Sequence, residues 1–220
     1  MTTPYIALIG DLVASKSIEN RDDMQSKIQT VFDQLNQTYQ AHFVSKLTLT
    51  LGDEFQVLMQ PNKAVWQLID DLQRLIPHPI RFGIGYGEIT TEINPDISLG
   101  ADGPAYWHAR KAINQLKDHN WNGILRQQFI GRGDQDDTIN TILLLTDTIR
   151  ANWTQTQAYV FNGLLAEGIY QGNFSQRDLA PKLDLSESAL SKRLNSGHIK
   201  IYLQGRTNLG QLLEVANDEQ

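Results

Sequence analysis

Residues 46–59, KLTLTLGDEFQVLM, contain two β-rich runs separated by a short polar turn. The first run covers residues 46–51, the second covers residues 55–59, and Gly52-Asp53-Glu54 lies between them. Glycine and aspartate are favoured in tight turns, and a turn of this length joins antiparallel strands. The stretch therefore predicts a β-hairpin, from which the neighbouring elements can be ordered.

Strand and helix patterns flank this hairpin on both sides. The apolar run at residues 5–9 predicts a strand, and apolar residues at helical spacing predict a helix at residues 22–39. After the hairpin, the patterns predict a helix, a strand, a helix and a strand at residues 61–76, 80–86, 105–116 and 123–130. This order is that of a ferredoxin-like or palm sheet, so we expect an α+β fold with the first strand beside the hairpin.

A change in composition after residue 130 indicates the end of the sheet. Residues 131–137 are polar and rich in turn residues, which predicts a loop, and residues 139–149 predict an apolar helix. After Trp153 the pattern is helical with short polar breaks. We therefore expect two domains, a sheet domain at residues 1–150 and a small all-α domain at residues 151–220.

The overall composition excludes several classes of protein. Of the 220 residues, 40% are hydrophobic and none is cysteine, which excludes disulfides and Cys-ligated zinc. No apolar run approaches the roughly 20 residues that span a bilayer, and no basic region precedes the first apolar stretch. The net charge of −6 argues against a broad surface that coats nucleic acid. We expect a cytoplasmic protein with no membrane partner.

Two acidic corners follow the predicted central strands. Asp11 follows Gly10 at the end of the first strand, and Asp53 and Glu54 follow Gly52 in the hairpin. If the two strands are neighbours, these carboxylates lie close together and offer the oxygen ligands that Mg²⁺ (or Mn²⁺) shares with phosphate. Alternatively, the same residues serve only turn geometry and solubility, and their spacing does not separate the two interpretations.

Several motifs resemble those of nucleotide cyclases. Residues 51–55, LGDEF, resemble the signature hairpin of GGDEF diguanylate cyclases, and residues 9–16, IGDLVASK, are similar to the metal-binding first strand of those enzymes and of class III cyclases. Residues 81–88, RFGIGYGE, resemble the class III strand "GIHTGE", and residues 100–110, GADGPAYWHAR, resemble the helix after it. The motifs with their DNA-binding-like tail most resemble the SatD family of bacterial proteins.

This resemblance implies roles for individual residues. It implies a nucleotide-cyclase-like palm in which Asp11, Asp53 and Glu54 bind metal and Arg110 is the catalytic candidate at the phosphate. It implies nucleotide binding by five residues, namely Gly10, Leu12, Lys16, Gly52 and Tyr106. The base-reading lysine of class III cyclases is replaced by Leu49, and the ribose-binding asparagine by Tyr106. The implied site thus retains the metal-binding residues of the cyclases but lacks the residues that recognise the base and the ribose. We therefore do not expect an adenylate or diguanylate cyclase.

The C-terminal segment has the pattern of a helix-turn-helix. Ser175 and Ser186 each occupy the N-cap of a predicted helix, and the small Ala180 lies where the two helices would approach each other. The segment is similar to helix-turn-helix and winged-helix-like modules, in which the second helix contacts DNA. Its candidate contact residues are Ser188, Ser191, Lys192 and Arg193. The alternative is a helical hairpin that packs on the sheet domain or forms a dimer.

These features lead to three hypotheses about function. The first is a regulator whose palm binds a metal-nucleotide, a cyclic nucleotide or a related signal and controls a DNA-binding module. The second is an active nucleotidyl cyclase or another phosphoryl-transfer enzyme. The third is a DNA-binding protein with a non-catalytic palm. Residues 151–220 carry six lysines and arginines against seven acids, so one module would neutralise few phosphates, and we expect a homodimer.

Overall fold

The computed structural model describes residues 3–15, 20–50 and 52–218. The sheet region consists of β1 (Tyr5–Leu12), α1 (Arg21–Thr38), β2 (Phe43–Leu49), β3 (Glu54–Met59), α2 (Ala64–Leu75), β4 (Ile80–Gly87), α3 (Pro104–Asp118) and β5 (Gln127–Ile130). The helices that follow are α4 (Gln135–Ala151), α5 (Gln155–Ala166), α6 (Gln176–Lys182), α7 (Glu187–Ser196) and α8 (Ile199–Asp218). The fold is therefore a mixed α+β fold with a helical C-terminal region, as the sequence predicts.

The five strands form one sheet in the order β2-β3-β1-β4-β5. The pairs β2–β3, β3–β1 and β1–β4 are antiparallel, whereas β5 runs parallel to β4. The first strand thus lies beside the hairpin, which confirms that expectation. In the register of β1, Asp11 stands opposite Glu54 of β3 on one side and opposite Arg81 of β4 on the other.

Several element bounds differ from the sequence prediction; strand β1, for example, extends to Leu12 and so includes Asp11. Strand β2 begins at Phe43, where the ring stacks on Tyr39 with centroids 6.1 Å apart. Strand β5 begins only at Gln127, because Trp121, Asn122 and Gly123 adopt left-handed conformations in a turn. Helix α4 begins at Gln135, inside the predicted loop, so that loop is shorter than expected.

Each face of the sheet is covered by helices. On one face, Leu8, Phe55 and Phe82 are buried in a cluster with apolar residues of α1, α2, α4 and α8. On the other face, α3 packs closely on β4. A Cβ atom at Gly83 or Gly85 would lie 2.2 Å or 2.0 Å from a backbone oxygen of α3. These two glycines therefore allow close packing between helix and strand.

The last helix connects the two regions of the molecule. Tyr202 and Leu203, near the start of α8, are buried with the apolar residues of α5, α6 and α7. Further along the same helix, Leu209 and Leu213 are buried in the cluster beneath the sheet. The chain beyond residue 151 thus returns to the sheet region, while the division into two domains stays a prediction.

The winged-helix expectation for residues 151–220 is corrected by the position of α8. Helix α7 ends at Ser196 and α8 begins at Ile199, so a helix follows where a wing would place a β-hairpin. The physical reason is the spacing of Ile199, Leu203 and Leu213, whose side chains are all buried along one helix.

In the described part of the chain, no helix has both the length and the apolar character that crossing a bilayer requires.

Candidate functional site

A row of charged side chains crosses the sheet where β1 ends. We call Glu54, Asp11 and Arg81 the charged row, because they are register neighbours on β3, β1 and β4. Arg81 donates from Nε to Oδ1 of Asp11 at 2.8 Å and from Nη2 to Oδ2 at 3.0 Å. Alternation along β1 places Asp11 on the same face as Ala7 and Ile9, which pack against α3. The charged row therefore lies under α3.

Helix α3 adds two further cations to this row. Arg110 donates to both oxygens of Glu54, at 2.5 Å and 2.6 Å, and these hydrogen bonds raise the pKa of Arg110. Lys117 Nζ lies 3.0 Å from Oδ2 of Asp11. The side chain of Asp11 is 8% exposed, whereas those of Arg110 and Lys117 are 46% and 41% exposed. Two shielded carboxylates are thus paired with three cations, of which two reach solvent.

Asp53 lies apart from these pairs, in the turn before β3. Its carboxylate accepts a hydrogen bond from the hydroxyl of Ser15, and its backbone oxygen accepts one from the amide of Leu12 at 3.1 Å. It lines a narrow cleft together with Met24 and Ile28 of α1. Helix α1 covers the face of the sheet opposite α3. Asp53 therefore lies toward the α1 face, whereas Asp11 and Glu54 lie on the α3 face.

The residues implied in nucleotide binding have clear packing roles. Gly10 lies under the ring of Phe55, whose nearest atom would be 2.1 Å from an added Cβ. Leu12 is buried in the cluster beneath the sheet, and Tyr106 is buried against Ala7 and Ile9, where burial raises the pKa of its hydroxyl. Gly52 has φ +65°, a conformation that favours glycine in the hairpin turn. Lys16 lies outside the described residues.

The charged row does not fit a divalent cation in this arrangement. Every oxygen of Asp11 and Glu54 already accepts from, or is ion-paired with, Arg81, Arg110 or Lys117. A metal would have to displace guanidinium groups that already neutralise these carboxylates. Within residues 3–15, 20–50 and 52–218, no group of three or more His, Cys, Asp and Glu side chains is placed to hold a metal ion.

The segment that was predicted as a helix-turn-helix forms two capped helices, α6 and α7. Ser175 and Ser186 accept hydrogen bonds from the amides of Asp178 and Ala189, so both predicted N-caps are present. The connecting residues 183–186 turn at Asp184, which has φ +51°. Leu190 and Leu194 bury one side of α7 against α5 and α6. On its outer side, Ser188 and Lys192 are exposed and Ser191 and Arg193 are half-buried.

A buried ionic network joins the helical region to the sheet, and sequence reasoning missed it. Asp70 of α2 and Arg206 of α8 are both fully buried, and Nη2 of Arg206 lies 3.3 Å from Oδ1 of Asp70. Asp70 also accepts from Tyr170, Tyr202 and Arg150, at 2.5, 2.6 and 3.1 Å. The sequence contained one signal for this network: Arg206 stands on the same side of α8 as the apolar residues Tyr202, Leu209 and Leu213.

Among the solved structures that resemble the chain are two with low TM-scores. One is the catalytic core of a rhodopsin-guanylyl cyclase with converted specificity in complex with ATPalphaS, with 14% identity, 50% of this chain and 71% of that chain covered, and a TM-score of 0.32. The other is a regulator of polyketide synthase expression from Bifidobacterium adolescentis, with 11% identity, 96% and 86% covered, and a TM-score of 0.26. No curated protein matches the chain. The model of the SatD family matches residues 5–213.

Proposed function

The chain belongs to the SatD family, and on that premise we propose that it is a regulatory DNA-binding protein whose α6 and α7 form the DNA-contacting module. The observation that carries the proposal is the outer side of α7. It presents serine hydroxyls near the helix start and the cations Lys192 and Arg193 further along, while the opposite side is buried against α5 and α6. Such a helix can enter a major groove with its N-terminal part foremost.

The charge of the module determines the strength of binding that we expect. Among the lysines and arginines beyond residue 150, Arg206 is fully buried and forms an ion pair with Asp70. It therefore adds no positive charge to the surface. The remaining cations can neutralise few phosphates, which favours weak binding by one copy and stronger binding by two. We therefore propose that two copies of the chain bind DNA as a homodimer, since a second copy would double the phosphate contacts.

Fluorescence anisotropy on a labelled random-sequence duplex tests this function. Wild-type protein should bind with an affinity that falls as salt rises from about 50 to 200 mM, and Lys192→Ala with Arg193→Ala should flatten that slope by up to about 2. The double variant Lys27→Ala with Lys111→Ala is the matched control, because both lysines are exposed on the sheet region. Equal affinity and slope in wild type and in the α7 variant would refute the proposal.

A second candidate function is recognition of a nucleotide phosphate at the charged row. The observation that favours it is the excess of one positive charge there, with Arg110 and Lys117 both partly open to solvent. In a cyclase-like palm these two side chains would hold the phosphate directly, without a metal between them. Calorimetric titration with ATP and GTP, each with and without Mg²⁺, tests the candidate. Binding that survives removal of Mg²⁺ and is lost in Arg110→Gln supports it, and no binding under either condition refutes it.

A further inference from the structure

A cavity of about 520 Å³ lies where the sheet meets the helical region. The connection between α2 and β4, the turn before β5 and the end of α4 surround it. Its apolar wall consists of Ile76, Pro77, Pro79, Ile80 and Ile124. Its polar wall consists of Gln73, His78, Arg126, Asp147 and Arg150. This volume is in the range of small-molecule sites, and the mixture of an apolar wall with a few polar groups is typical of them.

Arg126 is the first sign that the cavity is built for an anion. It is half-buried, and this burial lowers its pKa. The negative charge of Asp147 acts to raise the pKa, and the positive charge of Arg81 acts to lower it further. Across the described ranges of the chain, its guanidinium makes no hydrogen bond or salt bridge. The guanidinium is therefore not neutralised by a protein partner, and an anionic ligand in the cavity would supply one.

Gln73 and Asp147 complete the polar wall of the same cavity. The Oε1 atom of Gln73 is buried and has no hydrogen-bond partner in the described part of the chain. The carboxylate of Asp147 is turned to the protein, where it accepts from the amides of Arg126 and Gln127 and from the Gln127 side chain. Asp147 is therefore committed to its own hydrogen bonds and leaves the side chain of Arg126 available.

We propose that this cavity binds a small organic anion, with a carboxylate or phosphate held by Arg126 and Arg150 and an apolar body packed on the isoleucines and prolines. A planar guanidinium pairs with either kind of anionic group through two parallel hydrogen bonds. The apolar wall excludes a bare inorganic ion as the best ligand, because such an ion would leave that wall in contact with water.

Arg150 connects the cavity to the helical region, because it also contacts Asp70 and two aromatic rings. Its Nη1 atom donates to Asp70, and its guanidinium lies over the rings of Trp153 and Phe161, at 5.7 Å and 5.4 Å from their centroids. An anion that binds Arg150 competes with Asp70, which also holds Tyr202 and Arg206 of α8. Binding in the cavity should thus alter the contacts that hold α5 and α8, and with them α7. This step rests on the proposed DNA-binding function, whereas binding of the anion does not.

Calorimetric titration of the full chain tests the binding step. Benzoate and phenyl phosphate are the probes, since they carry the two anionic groups on the same apolar body, and benzyl alcohol is their neutral counterpart. We expect saturable binding of at least one anion, weakened about tenfold or more by Arg126→Gln and unchanged by Arg21→Gln, an exposed arginine on α1. Ile124→Glu, which adds a carboxylate at the cavity wall, should abolish binding without removing a cation.

The probes also separate the outcomes. Stronger binding of benzoate assigns a carboxylate ligand, and stronger binding of phenyl phosphate assigns a phosphate ligand. Failure of both anions to bind, equal binding of benzyl alcohol, or unchanged binding in Arg126→Gln would each overturn the proposed site.

Anisotropy of a labelled duplex, with and without the bound anion, tests the route through Arg150. A changed DNA affinity that is lost in Arg126→Gln supports the route, and an unchanged affinity overturns it while the binding site stands. Absence of any DNA binding would overturn the proposed function, and the calorimetry would still decide the cavity.

Discussion

The charged row and the Asp70–Arg206 network are both built from carboxylates and guanidinium groups, but they differ in contact with water. In the charged row, Arg110 and Lys117 reach solvent, and their pairs with Glu54 and Asp11 can exchange with ions or ligands. In the network, Asp70 and Arg206 are both completely buried and are bonded further to tyrosines. The first arrangement can respond to a ligand, and the second holds the helical region against the sheet.

The largest expected effect comes from breaking the network. Asp70→Ala should lower the free energy of unfolding by about 3–5 kcal/mol, because it leaves Arg206 as a buried charge without its carboxylate. Urea denaturation followed by circular dichroism measures the change, with the exposed Asp33→Ala as the matched control.

A double variant shows whether this loss reflects the orphaned charge. Asp70→Leu combined with Arg206→Met should recover much of the stability, since apolar groups of similar volume need no partner. A loss below about 1 kcal/mol in Asp70→Ala would mean that the network does not stabilise the fold.

The next effect is a dependence of stability on pH through Asp147. Burial raises the pKa of Asp147 to about 6, above its value in the unfolded chain, so the native state binds the proton more tightly. Its contribution to stability is present below about pH 4 and is lost as pH rises through 6. Relative to Asp147→Asn, wild type should therefore become less stable by up to about 3 kcal/mol between pH 4 and pH 7.

Denaturation midpoints at several pH values measure this difference. The exposed Asp137→Asn, on the first turn of the same helix, is the control and should show no such trend. A difference that stays constant over the range would contradict the raised pKa.

A smaller effect is expected at the charged row. Glu54→Gln should reduce stability by only about 1 kcal/mol at low salt, since the side chain of Arg110 is nearly half exposed and solvent screens the pair. Thermal denaturation in low and high salt measures it, and the difference from wild type should shrink as salt rises. A salt-independent loss as large as that of Asp70→Ala would remove the distinction between the two regions.

The smallest effect is expected from Mg²⁺ alone. Because Arg81, Arg110 and Lys117 already occupy the oxygens of Asp11 and Glu54, millimolar Mg²⁺ should leave the melting temperature almost unchanged. A clear increase that disappears in both Asp11→Asn and Asp53→Asn would show that the carboxylates exchange their cations for metal. That result would restore the metal site that the sequence predicts.

The local patterns predicted most of the fold for physical reasons. Apolar periodicity and the residue types of turns and caps depend on near neighbours, so they located the strands, the hairpin and the two N-caps at Ser175 and Ser186. The topology then placed Asp11 beside Glu54. The start of β5 was predicted too early, at Gly123, although Asn122-Gly123 is a typical turn pair; the left-handed Trp121 before it is not signalled by its residue type.

The partners of charged groups could not be predicted in the same way. Asp70 and Arg206 are 136 positions apart, and no local pattern indicates that one would neutralise the other. Likewise, Asp11 was predicted as a metal ligand, whereas its described partners are Arg81 and Lys117. Which cation reaches a carboxylate depends on the register of β4 and the placement of α3.

The sequence by itself determined the order of strands and helices, the adjacency of β1 to the hairpin, and a capped helix pair with cations on its second helix. Only the tertiary structure decided which carboxylates are neutralised by arginine, and that Arg126 and Arg150 line one cavity. The reason is range: secondary structure follows from periodicity over a few residues, whereas pairing of buried charges and the shape of cavities follow from contacts between segments far apart in the chain.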